Sequence, residues 1–105
     1  MLDVAVEANV RAVIVGHDHG NDWACPYNHT TGSDGSTSKV WLVFGRHSGY
    51  GGYGTWARGS RMFRFNASAA QAAGLDEGVS GDGGCSLQTW VRMEDGARVN
   101  GGGLC

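Results

Sequence analysis

The sequence predicts an α/β fold of which this chain carries only a part. Three observations lead there. Residues 10–15 and 40–44 are nearly unbroken apolar runs, the pattern of strands covered on both faces by further layers. Leu2, Ala5, Val6 and Asn9 fall at helical spacing, with Asp3 and Glu7 on another face. That one short helix is all the chain offers as cover for two such strands, so an apolar sheet face is left for something else to meet.

Composition narrows the functional classes. A chain of 105 residues is one domain or a piece of one. Eight Lys plus Arg against ten Asp plus Glu give a formal charge of -2, so there is no electrostatic case for nucleic acid or for an anionic membrane. No run approaches the ~18 apolar residues of a membrane span, and the first ten residues lack the basic lead and apolar block of a secretory signal. Nineteen glycines against one proline imply many tight turns and at least one loose segment. Cys25, Cys85 and Cys105 are odd in number and irregular in spacing, and suggest neither a disulfide framework nor a zinc knuckle. Asn28-His29-Thr30 and Asn66-Ala67-Ser68 match the glycosylation acceptor pattern, a short pattern that arises easily by chance.

Taken in order, the opening helix has nothing ahead of it that would cap it, so the chain reads as starting in mid-helix. The strand over residues 10–15 follows and ends at Gly16. Residues 21–39 are polar and rich in turn-formers, among them Asn28, Gly32, Asp34 and Gly35, and predict a surface loop. The second apolar strand, residues 40–44, ends at Gly45. Residues 46–56 are a glycine loop bearing His47, Tyr50, Tyr53 and Trp56. Residues 60–65 predict a third strand, and residues 66–84 a low-complexity insertion or a weak helix over 67–73. Leu87, Thr89, Val91 and Met93 alternate with polar neighbours as a one-sided final strand. Residues 100–105 read as a frayed, glycine-rich tail. The expected division is therefore residues 1–65 and the final strand within 85–99 as parts of one domain, with 66–84 as insertion and 100–105 as tail.

Chemistry concentrates where the first apolar run stops, at Gly16-His17-Asp18-His19-Gly20-Asn21-Asp22-Trp23. On extended backbone, residues i and i+2 share a side, so His17 and His19 point together while Asp18 points away. Two parallel imidazoles at a strand end are half of a metal site.

These residues resemble the calcineurin-like metallophosphoesterases. Gly16-His17-Asp18-His19 is similar to that family's last metal-binding motif, Gly-His-x-His at the end of a buried strand. The following Gly45-Arg46-His47-Ser48-Gly49-Tyr50-Gly51-Gly52-Tyr53-Gly54 resembles the purple-acid-phosphatase-like branch. The resemblance covers roughly residues 1–65, with residues 87–96 matching the family's final strand. It implies the C-terminal portion of a four-layer α/β/β/α sandwich, incomplete in this chain. It implies two divalent or mixed-valence metal ions (Fe, Zn or Mn), whose shared hydroxide attacks phosphorus of a phosphate ester. By the same resemblance His17 and His19 are ligands, one to each metal. Asp18, Asn21 and Asp22 support them or fix the loop, and Arg46, His47, Tyr50 and Tyr53 are candidates for a substrate loop. The family's Asp-x-His, Gly-Asp-x-x-Asp and Gly-Asn-His motifs and one further histidine are absent from the sixteen residues ahead of His17. Alone, the chain is expected to bind metal weakly and to turn over nothing. It needs the missing N-terminal part of the domain, or a partner, to cover its sheet.

Other readings stand beside this one. A non-catalytic interaction or structural module would use the sheet edge and the glycine–tyrosine loop. A single zinc on His17, His19, Cys25 and His29 has acceptable donors but matches no common spacing. Gly49-x-Gly51-x-x-Gly54 formally matches the dinucleotide fingerprint, yet no helix opens at its last glycine, so that reading is rejected. Arg58, Arg61 and Arg64 read as solvated surface, and Trp41, Phe44, Phe63 and Phe65 as core.

Overall fold

The computed structural model describes residues 2–32, 34–66 and 85–105. The element order is α1 (Leu2–Glu7), β1 (Ala12–Val15), β2 (Ala24–Thr30), β3 (Thr37–Phe44), β4 (Gly59–Phe65), β5 (Leu87–Met93) and β6 (Arg98–Gly103). The strands form two three-stranded sheets, ordered β1-β3-β2 and β4-β5-β6. Among the described residues the fold is thus α/β with little helix, as expected of part of such a domain. The expected insertion or helix at residues 66–84 falls, beyond Asn66, outside the described residues.

The first sheet sets up the site. β1 runs parallel to β3, with Val15 opposite Phe44, so both strands end at the same edge. The loops that leave them, beginning at Gly16 and Gly45, therefore start side by side. β2 pairs antiparallel with the other side of β3, from Ala24↔Val43 to Thr30↔Thr37. The polar loop expected over residues 21–39 in fact holds this strand, a turn closed by Thr31 N on Ser36 O at 2.9 Å, and the start of β3. The misreading has a physical cause. β2 lies at the sheet edge, where Pro26 and outward polar residues are tolerated, and β3 dictates its extension. Asp34 closes the turn by accepting bonds from the Thr31 hydroxyl and from Ser36 N at 2.9 Å.

The second sheet is a meander. β4 and β5 pair from Gly59↔Met93 to Phe65↔Leu87. Between β5 and β6 the register slips by one residue around Trp90, and Asn100 in the bulge takes φ 49. The tail expected to fray is paired as β6, Leu104 behind it is only 5% exposed, and Cys85 bonds Cys105. A glycine-rich strand reads as loose from composition. Here Gly101 is small because a Cβ would stand 3.1 Å from that of Trp90. The sequence reading also missed the disulfide, whose spacing carries no signal.

Among the described residues few are fully enclosed. Val40, Val43 and Val91 have no exposed surface, while Ile14, Val15, Phe63 and Phe65 are exposed. β1 was expected to be buried on both faces and is not, and Phe63 and Phe65 are not core, because nothing among the described residues lies over those faces. Trp41 and Phe44 are half-buried. A cleft of about 550 Å³ opens between the sheets, lined among others by Trp23, Trp41, Thr89, Asn100 and Leu104.

One side chain bridges that cleft. Half-buried Arg61 on β4 donates to the carbonyls of Phe44 (3.2 Å), Asn100 (3.1 Å) and Asp22. Burial draws its pKa down, and Asp22 opposes that shift. The expectation of a solvated arginine stripe fails here. An arginine on a strand reads as surface because charge usually is, whereas this guanidinium meets carbonyls from both sheets.

Candidate metal centre

β1 ends at Val15, and the chain does not continue as extended backbone. Asp18 N bonds Gly16 O at 3.0 Å, and His17 between them has φ 75. This is a γ-turn, a strained conformation for a residue with a side chain. The alternation expected to send His17 and His19 to one side rests on extended geometry and does not apply. His17 and Asp18 are exposed and His19 half-buried. Asp18 accepts a bond from Asn21 Nδ2 at 2.7 Å, which closes the loop on itself.

Asp22 fastens this loop to both sheets. Its carboxylate pairs with Arg46 Nη1 and accepts from Asn100 Nδ2 at 2.9 Å, while its carbonyl takes the bond from Arg61. The rest of the Arg46 guanidinium donates to Ala57 O at 2.9 and 2.8 Å, so the candidate substrate-loop arginine ties its own loop closed.

The glycine–tyrosine loop folds over the histidine turn. Tyr53 donates its hydroxyl to His17 O at 2.8 Å and accepts from His19 N at 3.2 Å. Its ring stacks on that of His19, with centroids 4.4 Å apart and planes 15° from parallel. This closeness requires Gly52, where φ is +90 and a Cβ would lie 2.6 Å from His19 Cε1. At its outer end the loop is held by Tyr50, whose hydroxyl donates to Glu94 at 2.5 Å while Arg58 lies 4.1 Å over its ring. The bond to Glu94 raises the Tyr50 pKa, and the same bond lowers that of Glu94.

His47 occupies an unexpected position. It is only 6% exposed, against the edge of Trp56, and its Nδ1 lies 3.1 Å from Nδ1 of His19. The same His19 nitrogen lies 3.3 Å from the carbonyl of Tyr53. Sequence reasoning grouped His47 with substrate-loop candidates and missed the pairing. No local pattern signals it, because the parallel register of β1 and β3 is what starts the two loops side by side.

The donor chemistry fits a metal in part. An imidazole that ligates through one nitrogen ordinarily donates the N–H of the other to a carbonyl or carboxylate. The His19–Tyr53 contact has that form. Among the described residues, no group of three or more His, Cys, Asp or Glu is gathered where it could hold a metal ion. By the resemblance His17 and His19 would give one donor to each of two metals, where a stable zinc site uses three or four. The single-zinc alternative is not assembled. His29 pairs with Asp3 on α1 at 2.6 Å, and Cys25 lies four residues away on β2, about 13 Å along an extended strand.

Comparison with known proteins agrees in direction with the sequence resemblance. The chain is 30% identical over 89 residues to the protein named probable inactive purple acid phosphatase 28 from Arabidopsis thaliana. The match takes in 83% of this chain and 18% of that protein, so the chain spans under a fifth of its relative's length. No family model matches the chain. No solved structure matches it.

Proposed function

We propose that the chain supplies the Gly-His-x-His segment of a purple-acid-phosphatase-like metallophosphoesterase domain, with His17 and His19 as donors to two metal ions. The observation that carries this is the convergence of two loops at the shared edge of β1 and β3. There the Tyr53 carbonyl engages Nδ1 of His19, which leaves Nε2 as the ligating nitrogen. Iron, zinc and manganese all suit imidazole. Two such cations would lower the pKa of a shared water and neutralise the oxygens of a phosphate mono- or diester. The remaining donors come from outside the described residues, in the rest of a four-layer sandwich that would also cover the exposed apolar face of β1. Asp22, Arg46 and Tyr53 hold the histidine turn in place. Tyr50, pinned to Glu94, stands farther out on the same loop.

A second reading has its own support. The relative's name contains the word inactive, and among the described residues no group of three or more donors is gathered where it could hold a metal ion. In that case the same loops serve a non-catalytic domain. The product of the complete reading frame, assayed with a chromogenic phosphate ester and added manganese or zinc, separates the two. Hydrolysis that is lost in His19→Ala supports the enzyme; metal binding without hydrolysis supports the non-catalytic domain. Appreciable turnover by the 105-residue chain alone would refute the requirement for further donors.

A further inference from the structure

We propose that His47 is a positioning residue that fixes which nitrogen of His19 is bare. This deepens the metal-donor reading of His19, although the proton placement can be measured without any metal. The two contacts of His19 Nδ1 decide the matter. The Tyr53 carbonyl at 3.3 Å can only accept, so that contact is attractive only when His19 carries its proton on Nδ1. With the proton there, the Nδ1 lone pair of His47 at 3.1 Å is a second acceptor for the same hydrogen. The opposite arrangement, His47 Nδ1–H donating to a bare His19 Nδ1, satisfies one contact and sets two lone pairs against each other at Tyr53. Only the first arrangement satisfies both. It assigns Nδ1–H to His19 and Nε2–H to His47, and it leaves His19 Nε2 without a proton.

The surroundings make His47 suited to this task. Its 6% exposure keeps bulk water from competing for the Nδ1 lone pair, and Trp56 lies edge-on to its ring. The backbone beside it is anchored, since Gly59 N bonds His47 O at 3.0 Å at the start of β4. The ring centroids of His47 and His19 are 4.9 Å apart with planes tilted by 36°, a geometry for sharing a hydrogen in the ring plane rather than for stacking. Tyr53 fixes His19 from its face and His47 from its edge, so the imidazole has one orientation and one tautomer.

The test is the ring nitrogen spectrum of the 15N-labelled 105-residue chain at a pH where its histidines are neutral. Wild type should show His19 with a protonated Nδ1 and an unprotonated Nε2, and His47 with an unprotonated Nδ1. His47→Phe keeps an aromatic ring but removes the acceptor, and should convert His19 to an exchanging mixture of tautomers. His47→Asn places Oδ1 near the lost lone pair and should restore the single form. Zinc affinity should fall about 10-fold or more in His47→Phe. A wild-type His19 that carries its proton on Nε2 overturns the proposal, whether or not His47→Phe folds, and so does an unchanged His19 spectrum in a folded His47→Phe chain. Failure of zinc to shift the His19 signals of wild type would instead overturn the metal-donor reading, leaving the tautomer assignment to stand on its spectrum.

Discussion

Arg61 is the side chain whose loss should be felt most widely. It donates to Phe44 at the end of β3, to Asp22 in the loop before β2, and to Asn100 in the β6 bulge, so it joins both sheets across their cleft. Arg61→Met keeps most of the aliphatic stem and removes the fork. Each hydrogen bond to a charged donor contributes about 1.5–3 kcal/mol net when buried. Because the residue is half-buried, water recovers part of that loss, and about 2–4 kcal/mol of destabilisation is expected. For a chain of this size, that corresponds to a fall in Tm of roughly 10 °C or more. Arg61→Lys, with its charge but no planar fork, should lose about half as much. Urea unfolding followed by tryptophan fluorescence reads this directly, since Trp23 and Trp41 line the cleft that Arg61 spans. A folded Arg61→Met chain within about 0.5 kcal/mol of wild type would place Arg61 among ordinary surface residues and refute the reasoning.

Other outcomes follow from the same geometry. Gly52→Ala forces a side chain into φ +90 beside His19 and should cost about 1–3 kcal/mol while shifting the His19 ring signals; Gly51→Ala, with open space around its Cβ, should do neither. Asp34 is held down to about 2 by the Thr31 hydroxyl first and then by Ser36, against an ordinary 3.8. Its folded pKa lies below its unfolded one, so its contribution is full above about 3.8 and disappears as pH falls toward 2. Unfolding midpoints should therefore drop more steeply across that window in wild type than in Asp34→Ala. Reduction of Cys85–Cys105 opens a link between residues 20 apart and should lower stability by about 3 kcal/mol, read as a fall in the urea midpoint on adding a thiol; an unmoved midpoint would show that β6 holds without it.

Much of the backbone was legible in the sequence because its elements are set by their own residues. The helix, both apolar strands, β4 and β5 carry period or composition strong enough to stand alone. β2 and β6 do not. Each acquires its extended form from a neighbour, β3 for Pro26 and Asn28, β5 for the Gly101–Gly103 run, and a strand that depends on its partner leaves little trace in its own composition. The site shows the same division. Residue type and position single out His17 and His19 as candidates, but not their geometry, because the γ-turn at His17 is held by the Tyr53 hydroxyl from 36 residues away. The pairing of His47 with His19 depends on the parallel register of β1 and β3, which no local pattern encodes.

The central claim is that His17 and His19 are metal donors in a centre this chain does not complete. Calorimetric titration of the 105-residue chain with zinc, repeated on His17→Ala and His19→Ala, tests it most directly. The account predicts binding far weaker than the roughly 10–16 kcal/mol of structural zinc sites, lowered by either substitution. Binding of structural-site strength, or binding indifferent to both substitutions, would contradict it.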